Sequence, residues 1–168
     1  SAETRRTVDL IIDRTADLHR RGIPKEVLTV DNHTDGVHLY LRMLRENSPR
    51  AADVLELLKM NGGNSSGIGI GCVGWDGSVY ADQFWRHHSF GNVKLRPFSE
   101  IWNDTSDEIM KGLKNRRPLL QGRCGRCVWQ DICNGNFRVR AEAVYDNVWA
   151  EDPACFLTEK EITTRIEP

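Results

Sequence analysis

The sequence predicts an α+β fold in two parts, an α/β unit over residues 1–60 and a small second domain over residues 61–168. Three observations support this prediction. Helical periodicity surrounds one short apolar run in the first part, whereas a hairpin pattern and a cysteine-rich loop occupy the second. Between the two parts, residues 61–67 are rich in glycine, asparagine and serine, a composition typical of a boundary loop.

The first part is predicted to contain helix, strand, helix and helix in that order. The first helix ends near Gly22, and residues 26–30 form a short buried strand rich in valine. Helices follow over residues 37–45 and from Ser48, a favourable N-cap, to about residue 60. A lone strand leaves its backbone groups unpaired. We therefore expect this unit to belong to a larger parallel sheet, and the chain to be a piece of a longer protein.

The second part is predicted to open with a β-hairpin, because Asp76-Gly77 is a frequent hairpin-turn dipeptide. A helix is expected over residues 97–114 and a shorter one over residues 137–147. Between these helices, residues 121–136 form a loop rich in cysteine and glycine. This loop is the segment most informative about function.

Charge and hydropathy exclude several classes of partner. The net charge of −1 argues against a nucleic-acid partner, because phosphate binding needs a surplus of basic residues. No apolar run approaches the ~18 residues that a membrane span needs. The N-terminus lacks the apolar segment of a secretory signal. A cytoplasmic protein with no nucleic-acid or membrane partner is expected.

Four of the five cysteines fall within 32 residues, in the pattern Cys124-x2-Cys127-x5-Cys133-x21-Cys155. The total of five is odd, and four of the five are closely spaced, which indicates metal binding more than a disulfide framework. Four thiolates suit either an iron–sulfur cluster or structural zinc, and spacing alone does not choose between them. The plainer alternative is four unrelated buried thiols.

The cysteine loop, together with Arg140-Ala141 and Glu151-Asp152-Pro153-Ala154-Cys155, resembles the SPASM/twitch extension of radical S-adenosylmethionine (SAM) enzymes. The resemblance covers about residues 65–157, including the hairpin and the stretch from Gly91 to Trp102. It implies a small twitch/SPASM-like domain that follows the end of a partial (β/α) radical-SAM barrel. It also implies an auxiliary 4Fe-4S cluster, whose ligands would be Cys124, Cys127, Cys133 and Cys155.

Two departures from the family pattern reduce the number of expected clusters. Phe137 and Asp82 stand where a two-cluster SPASM domain has cysteines, so we expect one auxiliary cluster, with Cys72 not a ligand. The Cys-x3-Cys-x2-Cys loop that holds the catalytic cluster is not in this chain. S-adenosylmethionine and a second 4Fe-4S cluster would therefore belong to an absent core. The chain alone should be inactive, and no catalytic residue is assigned in it.

Within this group, Val79–Trp85 and Asp31–Gly36 resemble the tetrapyrrole-modifying, NirJ-like proteins of heme d1 biosynthesis. That resemblance implies a tetrapyrrole substrate, an electron-donor protein, and removal of propionate side chains from didecarboxysiroheme. Alternatives are a related radical SAM decarboxylase of the siroheme-dependent heme route, a peptide-modifying SPASM protein, and a zinc-stabilised structural or interaction module. Since four cysteines fill all ligand positions of the cluster, we expect it to relay electrons.

Four residues are candidates for binding the substrate. His33 follows the predicted strand, where α/β folds place ligands, and its imidazole could bind an iron or carry a proton. Arg86 and His87 could bind carboxylates, and Trp85 could stack on a macrocycle. Each also has a purely structural interpretation. His33 could be a helix cap or a surface residue, Arg86 and His87 could lie on a solvated surface, and Trp85 could pack in the apolar core.

Overall fold

The structure, a computed structural model, describes residues 2–29 and 31–165. Within these ranges, helices surround a small antiparallel sheet. The strands are β1 (Cys72–Val73), β2 (Ser78–Tyr80) and β3 (Gly91–Asn92). The helices are α1 (Ala2–Arg20), α2 (Thr34–Arg45), α3 (Ala51–Asn61), α4 (Phe98–Asn103), α5 (Glu108–Lys114), α6 (Gly122–Gly125), α7 (Gln130–Cys133), α8 (Arg138–Tyr145) and α9 (Glu159–Thr163), with a 3-10 turn at Arg117–Leu119.

Helix α1 ends as predicted, but the strand predicted after it is not observed. Gly22 has a φ of 71°, and the amide of Ile23 donates to the carbonyl of Leu18, which closes the helix in a Schellman motif. Residues 26–29 are exposed and form no strand, and Val30 lies outside the described residues. A strand needs a partner for its backbone groups, and the sheet formed by β1–β3 does not include this segment.

Helix α3 begins at Ala51 with Arg50 as its N-cap, two residues later than predicted, because Ser48 belongs to the end of α2. The amide of Ser48 donates to the carbonyl of Met43 at 2.9 Å, and Asn47 takes a φ of 51°. These two features close the C-terminus of α2. Ser48 therefore completes one helix and does not cap the next.

The predicted hairpin is confirmed, and it carries a third strand that was not predicted. β1 and β2 pair antiparallel, with Cys72 opposite Tyr80, and the turn contains Gly77 at a φ of 93°. β3 adds to the other side of β2, with Gly91 opposite Val79. β3 is only two residues long, which is too short for a period-two pattern to show in the sequence.

The single helix predicted over residues 97–114 is wrong, because polar side chains divide it into α4 and α5. The Asp104 carboxylate accepts a hydrogen bond from the amide of Ser106 at 3.0 Å, which favours a turn. Asp107 then caps α5 by accepting hydrogen bonds from two amides at its start. In the second half of the chain, the predicted short helix is confirmed as α8.

The main hydrophobic core draws side chains from both sides of residue 60, so the two predicted parts share one interior. α2 and α3 pack against α7 and the segment around α9. Among the tryptophans, Trp85 and Trp129 are buried, whereas Trp75 at the hairpin turn is 91% exposed. No helix within the described ranges is both long and apolar enough to cross a bilayer. The buried members of this core are Val37, Tyr40, Leu41, Ala51, Leu55, Trp129, Ile132, Leu157 and Ile162.

Candidate metal centre

Four cysteines from separate segments line one cavity at the end of the main core. Cys124 lies in α6, Cys127 follows it, Cys133 ends α7, and Cys155 lies in the segment that leads to α9. Both apolar and polar side chains complete the wall. The apolar ones are Val37, Trp129, Leu157 and Ile162, and the polar or charged ones are Thr34, Arg123, Gln130, Glu151 and Asp152.

Local backbone contacts hold the first three cysteines in place. The side-chain amide of Gln130 donates to the carbonyls of Cys124 at 2.8 Å and Gly125 at 3.1 Å, which fixes the CxxC turn against α7. Asn134 ends α7 in the left-handed conformation, with a φ of 50°, so the chain turns away directly after Cys133. Asparagine tolerates this conformation better than most residues.

Two of the cysteine sulfurs accept hydrogen bonds from backbone amides. The amide of Asp152 donates to Sγ of Cys124 at 3.3 Å, and the amide of Trp129 donates to Sγ of Cys127 at 3.5 Å. Such donors stabilise thiolates and tune metal–sulfur centres. The protein therefore presents these sulfurs as acceptors already oriented for a bound cation.

Burial favours the protonated, neutral form of three of the four thiols. It raises the pKa of Cys127 to about 11 and raises the pKa of Cys133 well above its usual range. The charges of the neighbouring cysteines raise both pKa values further, which reflects how closely the sulfurs are grouped. Burial also raises the pKa of Cys155. Because thiolates are the ligands, loading this site must release protons.

The donor set fits an iron–sulfur cluster. All four candidate ligands are cysteines, the combination typical of 4Fe-4S sites, and they surround a cavity. Within the residues described, no three His, Cys, Asp or Glu side chains are arranged to hold a single metal ion. The fifth cysteine, Cys72, lies in β1 and does not line the cavity.

A polar network ties the metal centre to the loop before α2. The buried Asp152, whose amide binds Cys124, accepts hydrogen bonds through its carboxylate from Arg140 and Asn136 at 2.7–3.0 Å. Asn136 also donates to the side chain of Asn32 at 2.8 Å. Sequence reasoning assigned no role to these polar residues, because a paired aspartate and an asparagine look the same in sequence as ordinary turn residues.

His33 lies in a second cleft, of about 390 Å³, on the other side of this network. Its ring stacks with Phe137 at a centroid distance of 6.3 Å, and Gln83 contributes to the wall. Burial, together with the charge of Arg140, lowers the pKa of His33, so its imidazole is neutral at neutral pH. Phe137 also meets Phe84 edge to face at 5.4 Å. Phe137 thus forms part of an aromatic wall.

The other three candidate substrate residues lie apart from this cleft. Trp85 is buried, and its indole Nε1 donates to Glu142 at 2.6 Å. His87 is exposed and lies 2.8 Å from the same carboxylate. Arg86 is exposed at the surface. Trp85 and His87 are therefore joined through Glu142, but none of the three lines the His33 cleft, and their role in substrate binding stays a prediction.

Comparison with known proteins finds an iron–sulfur family over a segment that includes two of the four cysteines. Residues 70–128 match the SPASM family, an iron–sulfur cluster-binding domain. The chain is 69% identical over 95% of its length to Fe-coproporphyrin III synthase of Methanosarcina barkeri, covering 41% of that protein. It is 40% identical over 97% of its length to pre-heme d1 synthase of Dinoroseobacter shibae, again covering 41% of that protein. Over 39% of the chain it is 35% identical to AdoMet-dependent heme synthase of M. barkeri, covering 18% of it.

The chain thus spans about two fifths of the length of the first two relatives. No solved structure matches it. The SPASM match includes the hairpin and the CxxC pair, and the similarity to heme-pathway proteins extends over almost the whole chain. Residues 70–128 of this chain therefore match a SPASM iron–sulfur cluster-binding domain, within a sequence that is similar over almost its whole length to heme-pathway synthases.

Proposed function

We propose that this chain is the C-terminal part of a radical SAM enzyme that modifies the side chains of an iron tetrapyrrole. Residues 61–168 would form the auxiliary-cluster domain, and residues 1–60 would complete the end of a partial barrel supplied by the rest of the enzyme. The identity of 69% to Fe-coproporphyrin III synthase, over nearly all of this chain, supports the assignment to tetrapyrrole chemistry.

The cavity lined by four cysteines is the observation that carries this proposal. Cys124, Cys127, Cys133 and Cys155 would hold one 4Fe-4S cluster, which would supply one-electron transfer. Because the protein fills every ligand position, this site would not bind the substrate directly. Its role would be to pass electrons between an electron-donor protein and the substrate.

Two reactions are the main candidates. Removal of propionates from didecarboxysiroheme is the reaction expected for a heme d1 enzyme, and the 40% identity to a pre-heme d1 synthase is compatible with it. The 69% identity to Fe-coproporphyrin III synthase favours the alternative, formation of an iron coproporphyrin in the siroheme-dependent heme route. We propose the second reaction for this chain. S-adenosylmethionine and the catalytic cluster would be held by the core of such an enzyme.

The His33 cleft would bind the tetrapyrrole. A neutral imidazole is a suitable axial ligand for iron, and the aromatic wall at Phe137 would contact the macrocycle. Cys133 lies four residues before Phe137 in the chain, so the proposed cluster and the cleft share one short segment. This proximity would give electrons a short path.

Metal analysis of the anaerobically purified chain tests the cluster. We expect about four irons and four sulfides per chain, with a broad visible absorption that bleaches on reduction. Cys133→Ala should lose most of this iron, because a cluster with three protein ligands is held less firmly. One zinc with no sulfide in the anaerobic protein would overturn the cluster and support the structural module instead.

The reaction is tested in an enzyme that contains this chain together with its radical SAM core. Anaerobic incubation with S-adenosylmethionine, a reductant and didecarboxysiroheme should yield iron coproporphyrin, identified by mass spectrometry. A product that lacks propionates would instead assign the heme d1 reaction. Turnover by Cys133→Ala at the wild-type rate would exclude a role for this cluster in electron transfer.

A further inference from the structure

Two arginine side chains lie in the protein interior beside the cysteine cavity. Arg116 and Arg138 are each 1% exposed. Within the part of the chain that the structure describes, neither guanidinium has a carboxylate within the 4.0 Å of an ion pair. A buried charge without a counter-charge is costly, so such a pair requires an anion in its surroundings.

Arg138 makes its short contacts with neutral groups and places its charge near a cluster ligand. It donates to the carbonyls of Ala150 at 2.5 Å, Val148 at 3.3 Å and Gly135. Its Nε is buried without an acceptor. Its Nη2 lies 4.0 Å from Sγ of Cys124. A thiolate at Cys124 is therefore the anionic neighbour that this guanidinium contacts.

Arg116 is linked to the same site through Asn64, whose amide donates to the carbonyl of Cys133 at 3.2 Å. It donates to the side chain of Asn64 at 2.7 Å and to the carbonyl of Ser66, which are again neutral groups. Burial lowers the pKa of Arg116 to about 10, a change that the charge of Arg138 increases and the charges of Asp82 and Cys133 oppose. The side chain therefore stays charged at neutral pH.

The nearby carboxylates leave the charge of Arg138 without a direct partner. Asp82 partly offsets Arg116, Asp152 is paired with Arg140, and the half-buried Glu151 lies in the cavity wall. The contact of Arg138 with Cys124 therefore brings its positive charge directly to the cysteine site. A 4Fe-4S cluster with four thiolate ligands is negatively charged, and reduction makes it more negative by one unit.

We propose that Arg138 and Arg116 are positioning residues that supply buried positive charge to the four-cysteine centre and raise the reduction potential of its cluster. This inference rests on the proposed function, because it requires that the cysteines hold an iron–sulfur cluster. Fixed cations in a medium of low dielectric constant stabilise the reduced, more negative state relative to the oxidised one. The wider role of the pair would be to make this cluster easier to reduce.

The midpoint potential of the reconstituted chain, measured by a redox titration followed by electron paramagnetic resonance, tests the proposal. Arg138→Gln should lower the midpoint potential by about 59 mV, which for a one-electron couple is a roughly tenfold shift of the equilibrium toward the oxidised cluster. Arg138→Lys keeps the charge and should remain within about threefold of wild type. Arg50→Gln removes the same charge from a side chain 73% exposed on the surface and should leave the potential unchanged.

Each outcome gives a decision. An assembled cluster with an unchanged potential in Arg138→Gln would overturn the proposal, as would equal shifts in the Gln and Lys variants, because geometry and not charge would then be responsible. If Arg138→Gln binds no cluster, Arg116→Gln carries the same test, with a lower potential expected. A wild-type chain that assembles no iron–sulfur cluster would instead contradict the proposed function itself, and this inference would fall with it.

Discussion

A β-carbon added to Gly63 would lie 2.4 Å from the carbonyl carbon of Cys133. The loop after α3 thus rests directly on the backbone of a candidate cluster ligand, and the amide of Asn64 donates to the Cys133 carbonyl at 3.2 Å. The glycine-rich stretch that resembled a boundary in the sequence is therefore a packing surface for the metal centre.

Gly63→Ala should destabilise the chain far more than Gly22→Ala. Both glycines have a positive φ, 75° and 71°, so each substitution carries a backbone strain of about 1–2 kcal/mol. Only Gly63 also meets backbone atoms, whereas nothing lies within 4 Å of the new atom at Gly22. Urea unfolding should show an additional loss of roughly 2 kcal/mol or more for Gly63→Ala. Equal losses would mean that the loop moves away from Cys133 at little cost.

Cysteine substitutions should separate ligands from bystanders. Cys133→Ser should reduce bound iron after anaerobic reconstitution to a small fraction of wild type, because this thiol lines the cavity and serine is a weaker ligand for iron. Cys72→Ser should retain full iron and sulfide, since Cys72 pairs with Tyr80 in the hairpin and lies outside the cavity wall. Loss of iron in Cys72→Ser would place a fifth cysteine at the centre.

The ion pair between Arg5 and Glu161 should make stability depend on acid pH. Glu161 accepts two hydrogen bonds from Arg5 at 2.6 and 2.8 Å, and this contact lowers the pKa of Glu161 to about 2. The stabilisation is therefore complete above the usual pKa of 4.5 and is lost as the pH falls toward 2. We expect Glu161→Gln to lower the free energy of unfolding by on the order of 1 kcal/mol at about pH 6 and by much less at about pH 3.

Two features make Glu161→Gln a clean test. Glutamine can replace glutamate in the capping box with Thr158, so the start of α9 should be preserved. Glu56→Gln is the matched control, because its partner Lys59 is 2.8 Å away but Glu56 is 67% exposed. This control should change stability by no more than a few tenths of a kcal/mol at either pH. A loss in Glu161→Gln that does not vary with pH would contradict the ion-pair explanation.

His33 and His87 should differ in binding an iron tetrapyrrole. His33→Ala should weaken binding of ferric coproporphyrin at least tenfold, measured by the shift of the Soret band, because the cleft would lose its only imidazole among the residues described. His87→Ala should bind as wild type does, since His87 is exposed and held by Glu142 outside the cleft. Equal losses of affinity in the two variants would contradict the proposal that the tetrapyrrole binds in the His33 cleft.

Local chemistry made several elements predictable from sequence. Asp76-Gly77 specified a hairpin because the turn needs a residue that tolerates positive φ, and Gly22 marked the end of α1 for the same reason. The helix over residues 97–114 was predicted wrongly. Its apolar spacing is helical, yet Asp104 and Asp107 form turn and cap hydrogen bonds that a periodicity argument does not weigh.

The sequence by itself determined the candidate ligands and the family resemblance, because Cys124, Cys127 and Cys133 are close along the chain and their spacing is visible in one dimension. The tertiary structure alone decided how Cys155 joins them, that the loop at Gly63 supports Cys133, and that two arginines are buried beside the thiols. A sequence does not distinguish a buried arginine from an exposed one, because burial depends on segments that lie far apart along the chain and meet only when it folds.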